Sequence, residues 1–303
     1  MKIAFLFAGQ GAQVVGMGKD FYDNYPLAKD IYDKFPELRD LCFSGPIEKL
    51  TETKYAQPTM LLTSYIIARL LKENNIEPEY VVGLSLGEYT ALSFADTWDL
   101  DDALKIVSIR GNIMQNALPL NTSKMAAVIN TDIKIIEEAL KNVDGICEIA
   151  NYNCPTQIVI TGDNKGIDSA IKNLNELGAK RIVMLNVSGA FHSSLLNEAS
   201  LKLREELNKF SHNEPKYKVL YNTYGDLSDD DLYDILERQI RSSVRFTDTL
   251  YNLEKYGVDT FIEIGPGKSL SSFVRKTLND VKIYNVSDVV AFNNLLTEAK
   301  EWE

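Results

Sequence analysis

The stretch Tyr80-Val81-Val82-Gly83-Leu84-Ser85-Leu86-Gly87-Glu88-Tyr89 decides how this chain reads. A short apolar run, bounded upstream by Pro78, empties into Gly-x-Ser-x-Gly, and Leu86 to Ala95 continues with a helical pattern. A serine on a sharp strand-to-helix turn needs residues almost without side chains two before and two after it, the requirement of a nucleophile elbow. A plain glycine turn with a capping serine would be spelled the same way, so the pentapeptide alone leaves both readings open.

With 303 residues, 45% hydrophobic and 25% charged, the chain has ordinary globular composition and length for one large domain or two linked ones. A net charge of −11 argues against general nucleic-acid binding, which draws on a basic face. Cys42, Cys147 and Cys154 lack Cys-x-x-Cys spacing, which fits a reducing cytosol and gives no metal motif. The N-terminal apolar run is too short for a signal peptide, and nothing approaches the roughly 18 to 20 apolar residues of a membrane span. The expectation is a cytoplasmic chain with no nucleic-acid, membrane or metal partner.

Outward from the elbow, Ile3 to Phe7 reads as a strand buried on both faces, ending in the glycine loop Ala8 to Gln13. That loop lacks the spacing of a phosphate or dinucleotide site. It is either a simple turn or the second half of an oxyanion hole, whose first half is the N–H after the serine, on Leu86. Residues 19 to 50 read as helical pieces broken by Pro26, Pro36 and Pro46, and Gln57-Pro58 as the opening of an apolar helix to about Leu71. Strand, helices, strand, helix is the order of an α/β fold with a parallel sheet.

Asp99 caps the next helix, in which Arg110 falls within the apolar stripe of Ala103, Ile106, Val107, Ile113, Met114 and Ala117. A guanidinium facing a core must be paired: it either meets an internal carboxylate or snorkels to solvent, or it awaits a carboxylate that arrives on a substrate. From residue 124 to 187 the order becomes βαββαβ, a ferredoxin-like insertion whose layer would leave a cleft against the larger sheet. His192 stands at the exit of that insertion in Val187-Ser188-Gly189-Ala190-Phe191-His192. The only other histidine, His212, lies in a polar stretch, so His192 is the candidate base for Ser85. Thr260 to Ile264 reads as a further buried strand, turned by Gly265-Pro266-Gly267 into a helix, and Val281 to Val286 as a last strand.

Phe7-Ala8-Gly9-Gln10-Gly11-Ala12-Gln13, the elbow, Ala150 to Pro155, Val187 to His192, Gln239 to Phe246 and Glu263 to Leu270 occur in order over nearly the whole chain. Together they resemble the malonyl-CoA:acyl carrier protein transacylases, a family related to polyketide-synthase acyltransferase domains. The resemblance implies an α/β-hydrolase-like large subdomain, residues 1–123 and 188–303, with the ferredoxin-like small subdomain, 124–187, inserted. It implies Ser85 as nucleophile, His192 as general base and then acid, and backbone N–H groups of Gln10 and Leu86 as the oxyanion hole. Arg110 would hold a malonyl carboxylate, and Gln239 would orient His192 through its side-chain or nearby backbone oxygen. Phe191 goes with malonyl rather than methylmalonyl.

The implied reaction is ping-pong transfer of malonyl from malonyl-CoA to the phosphopantetheine thiol of acyl carrier protein, supplying fatty-acid synthesis, by a monomeric enzyme without a cofactor of its own. The carrier is acidic and would dock on a local basic patch, for which Lys180, Arg181, Lys268, Arg275 and Lys276 are candidates. One departure stands out: Leu84 occupies the position before the nucleophile where the family commonly has histidine. A serine hydrolase is the rival enzyme class, but nothing between the elbow and His192 outside the insertion marks a triad acid. The one Asp-Gly pair, Asp144-Gly145, lies inside the insertion. A non-enzymatic carrier-binding module is the third reading, distinguished by a failure to become acylated.

Overall fold

Ile3–Phe7 forms β1, whose alternate side chains serve two separate cores. Ile3, Phe5 and Phe7 face one apolar cluster, while Ala4 and Leu6 face the other. Burial on both faces is why the strand reads as an unbroken apolar run. In the computed structural model, residues 1–187 and 189–302 are described; Ser188, at the expected subdomain boundary, and Glu303 lie outside the described residues.

After β1 come α1 (Lys19–Asn24), α2 (Pro26–Tyr32), α3 (Pro36–Ser44) and α4 (Ile47–Thr51), interrupted where the prolines fall. The long α5 (Thr53–Glu73) begins four residues earlier than the Gln57-Pro58 signal suggests, and Pro58 lies inside it. The Glu52 carbonyl accepts the Tyr55 and Ala56 N–H groups, so a turn already exists upstream of the proline. Nearly every side chain from Ala56 to Leu71 is buried, and that packing outweighs one missing N–H near the helix start.

β2 (Tyr80–Gly83) then leads into α6 (Leu86–Phe94) and α7 (Leu100–Gln115), the latter capped by the Asp99 carboxylate on the Asp102 N–H. The insertion follows as β3 (Ser123–Ile129), α8 (Ile133–Leu140), β4 (Cys147–Cys154), β5 (Gln157–Asp163), α9 (Asn164–Glu176) and β6 (Arg181–Met184). The chain continues through α10 (Asn197–Leu207), β7 (Lys218–Val219), α11 (Leu232–Gln239), α12 (Phe246–Lys255), β8 (Thr260–Ile264), α13 (Ser269–Thr277), β9 (Lys282–Val286) and α14 (Val289–Ala299).

Two sheets result. The larger runs β7-β2-β1-β8-β9, with every pairing parallel. The smaller runs β4-β5-β3-β6, with every pairing antiparallel, the strand order of a ferredoxin-like unit. Ala126, Val128, Ile149, Ile158 and Ile160 from one face of the smaller sheet pack under Ile136 of α8 and Ile167, Ala170 and Leu174 of α9. Met125, Ala127 and Val159 point the other way, toward the larger core. Among the described residues, no helix is long and apolar enough to cross a membrane.

The elbow is where backbone meets backbone. A Cβ on Gly83 would lie 1.8 Å from the carbonyl carbon of Gly87, and one on Gly87 would lie 2.0 Å from the Phe7 carbonyl oxygen at the end of β1. Neither neighbour is a flexible side chain that could move aside. Gly83→Ala should therefore cost roughly 4 kcal/mol, at the severe end for single substitutions. A chemical-denaturation midpoint matching the wild type would show that the elbow is looser than this.

Candidate active site

Ser85 sits at the tip of the elbow with φ 54° and ψ −103°, a backbone state that side-chain-bearing residues rarely adopt. Its Oγ lies 2.8 Å from His192 Nε2 and 3.1 Å from an Arg110 guanidinium nitrogen, Nη2. Three residues separated widely along the chain thus meet at one hydroxyl.

The other ring nitrogen of His192, Nδ1, is 2.8 Å from the backbone carbonyl of Gln239. A carbonyl can only accept, so Nδ1 carries the proton and Nε2 presents its lone pair to the serine O–H. The His192 N–H donates to the Ile240 carbonyl, so the carbonyls of two successive residues, Gln239 and Ile240, fix the ring and the loop. His192 is 4% exposed. Burial first, and then the positive charge of Arg110, push its pKa down to about 4, so the ring is neutral at physiological pH.

Arg110 is fully buried and makes no ion pair with a described residue. Its Nη2 donates to Ser85 Oγ and, at 3.0 Å, to Gln239 Oε1, and its guanidinium lies 4.8 Å from the centre of the Tyr89 ring. Nε and Nη1 find no hydrogen-bond acceptor among the described residues. Burial lowers its pKa, though a guanidinium still stays charged. Of the readings the sequence allowed for this cation, neither a bonded internal carboxylate nor a side chain reaching solvent is what the described residues provide.

Gln239 ties these groups together. Its backbone oxygen orients His192, its Oε1 accepts from Arg110, and its Nε2 donates at 3.0 Å to the Ser85 carbonyl. Of the two oxygens that sequence reasoning left open for His192, the backbone one is in place and the side chain is engaged elsewhere.

Two residues at the site carry no sequence signal. Asn222 Oδ1 accepts the Ser85 N–H at 2.7 Å, and its Nδ2 donates to the Gly83 carbonyl at 2.6 Å. Glu88, buried under the elbow, accepts the Asn222 N–H on Oε2 at 2.5 Å, and burial pushes its pKa up to about 7. Asn222 follows a two-residue strand, too short for any periodicity to mark it. Glu88 reads as an ordinary acidic residue in the first turn of a helix.

Ser85, Arg110 and His192 border a cavity of about 500 Å³ between the two sheets. Gln10 and Leu86 line it, and so do Phe191 and Leu84. Leu86 opens α6, so its N–H has no acceptor within the helix. Met125, Ala127 and Val159 bring the smaller sheet to the opposite wall. Lys180, Arg181, Lys268, Arg275 and Lys276 are all exposed and none is ion-paired with another described residue, but none lines the cavity. No cluster of histidine, cysteine and carboxylate able to hold a metal occurs among the described residues.

A parallel α/β sheet with a strained serine, a neutral histidine and a buried arginine around one cavity defines an acyl-group-handling protein, and the chain belongs to the acyl transferase domain family, which it matches over residues 4–293. Its relatives narrow the class. It is 40% identical to the malonyl CoA-acyl carrier protein transacylase of Bacillus subtilis, across 99% of this chain and 98% of that one. The crystal structure of malonyl CoA-acyl carrier protein transacylase from Clostridium perfringens superimposes with a TM-score of 0.96 at 38% identity, covering 100% of this chain and 98% of that one. A malonyl-transacylase solved in complex with its type II PKS acyl-carrier protein gives a TM-score of 0.95 at 31% identity, covering 98% of this chain and 100% of that one.

Because the folded-state pKa of His192 lies below the ordinary value, the unfolded chain binds the extra proton between those limits. This residue therefore withdraws stability as pH falls from about 6.5 toward 4. A ¹⁵N NMR titration should show the His192 ring neutral, with Nδ1 protonated, down to about pH 5. Half-titration near 6.5 would mean that the ring is far better solvated than the packing shows.

Proposed function

We propose that the chain transfers a malonyl group from malonyl-CoA to the phosphopantetheine thiol of an acyl carrier protein, through a malonyl ester on Ser85. The observation that carries this reading is the shared contact at Ser85 Oγ: a neutral imidazole on one side and a buried, incompletely bonded guanidinium on the other. The printed names of the relatives, which speak of malonyl-CoA and acyl carrier protein, favour the same substrates.

In the first half-reaction His192 Nε2 takes the serine proton as Oγ attacks the thioester carbon. The oxyanion that forms lies at the Leu86 and Gln10 N–H groups, each such donor contributing about 3 kcal/mol. Collapse breaks the carbon–sulfur bond, and the departing coenzyme A sulfur receives the proton back from His192. The carrier thiol then repeats the sequence in reverse: it gives its proton to His192, attacks the ester carbonyl and releases Ser85. Throughout, the Gln239 carbonyl supports the imidazolium that forms transiently.

Arg110 accounts for acyl choice. Nε and Nη1 are available for a carboxylate, which would turn a poorly bonded buried cation into a paired one. An acetyl group brings no such partner. The exposed cations at the start of β6 and on α13 supply attractive charge for an acidic carrier against an overall negative field.

Incubation with malonyl-CoA followed by intact-mass measurement should show one malonyl adduct per chain, absent in Ser85→Ala and weak with acetyl-CoA. Arg110→Ala should keep slow acyl transfer while its malonyl-over-acetyl preference falls about 100-fold, the scale of losing a recognised polar partner. Release of coenzyme A without any adduct would indicate a hydrolase instead, and an unchanged preference in Arg110→Ala would remove the arginine from substrate selection.

A further inference from the structure

The glycines at 83 and 87 permit the sharp turn at Ser85 but do not enforce it. A serine free to relax would leave φ 54° for a commoner backbone state, and its Oγ would swing away from His192. Something outside the motif must hold it. Asn222 is placed to do so by the pairing of β7 with β2, Lys218 against Tyr80 and Val219 against Val81, which delivers the chain beyond β7 to the elbow.

Asn222 is 1% exposed, and each of its polar groups is engaged. Oδ1 accepts from the Ser85 N–H and Nδ2 donates to the Gly83 carbonyl, so one planar amide bridges the residues on either side of Leu84. Its backbone N–H donates to Glu88 on the helix the elbow feeds, and its carbonyl accepts from the Arg245 N–H at 2.8 Å. The amide is therefore oriented by its own backbone before it reaches the serine.

We infer that Asn222 is a positioning residue for the nucleophile: its side chain holds the strained Ser85 peptide in register, and by occupying the Ser85 N–H it leaves the Leu86 N–H to face a developing oxyanion. This rests on the proposed acyl-serine reading. The consequence is specific. Loss of the clamp misaims Oγ and the oxyanion donor, both of which act in the chemical step, while the cavity walls that bind malonyl-CoA stay as they are.

The test is rapid mixing with malonyl-CoA, quenching, and intact-mass readout, which yields both the rate of acylation and the fraction of chains that can be acylated. In Asn222→Ala the saturating rate should fall about 100-fold, the usual scale for misplacing a reacting group by an ångström, with the half-saturating malonyl-CoA concentration unchanged within about threefold. A smaller acylatable fraction at an undiminished rate would mark Asn222 as merely structural and overturn the inference.

Asn222→Asp serves where the alanine variant does not fold. It keeps the side-chain shape and the acceptor for the Ser85 N–H, but it can donate to the Gly83 carbonyl only when protonated. The ionisable groups on the elements around it are Glu88 and Tyr89 on α6, Arg110 on α7, His192 in its loop, Tyr221 beside it in the chain and Arg245 at the head of α12, whose N–H meets the Asn222 carbonyl. These are shared with the wild type, so the variant-to-wild-type ratio of acylation rates isolates the new carboxyl. That ratio should decline as pH rises from 5 to 8. A ratio independent of pH and close to one would overturn the clamp. If the wild-type chain itself takes up no malonyl, the acyl-serine reading falls and the positioning role falls with it.

Discussion

The site depends on a close approach between backbones: the end of β1, the turn at Ser85 and the first turn of α6 occupy space that two side chains would otherwise fill. Because Gly87 meets the Phe7 carbonyl directly, the glycine loop after β1 and the N-terminus of α6 open onto the same cavity. Gln10 and Leu86 both line that cavity. The parallel pairing of β1 with both β2 and β8 fixes the approach, since a slip of register would move Phe7 away from Gly83. Backbone strain at Ser85 is tolerable in this setting because hydrogen bonds from Asn222, Gln239 and the sheet surround it.

Around this framework the ionisable side chains Glu88, Arg110 and His192 are buried. Among the described residues Arg110 has no bonded carboxylate, yet it lies against an aromatic face and two oxygens, and its Nε and Nη1 find no acceptor there. Burial first, and then the same cation, disfavour a positive charge on His192, which keeps the imidazole in its basic form. Gln239 couples the two, holding the ring through its backbone and the guanidinium through its side chain. A single residue near the end of α11 therefore sets the separation between the base and the cation.

How much of this was legible in the sequence follows from how local each signal is. The elbow, the apolar β1 and the Asp99 cap are written in adjacent residues, and the structure places each where its pattern indicates. Arg110 stood out because a cation in an apolar stripe violates the helix pattern, and His192 because the chain offers so few alternatives. The start of α5 was obscured: Pro58 looks like a first-turn proline, whereas long-range burial carries the helix past it. Asn222 was invisible, since its role comes from a two-residue strand pairing across more than a hundred positions. The histidine-orienting oxygen of Gln239 belongs to the main chain, and no side-chain identity encodes a main-chain atom's direction.

The middle of the larger sheet joins segments more than 250 residues apart, Ile3 against Thr260 and Phe7 against Ile264. During synthesis β1 emerges long before β8 and must wait for it before its second edge is covered, while the smaller sheet, built from residues 123 to 184, can close on itself in the meantime. An apolar strand with an unpaired edge is a template for wrong pairing, so the interval before β8 leaves the ribosome is when this chain is most exposed to aggregation. The partners of the Ser85 hydroxyl, Arg110 and His192, likewise lie further along the chain, so a product ending before residue 192 would carry the motif without the chemistry.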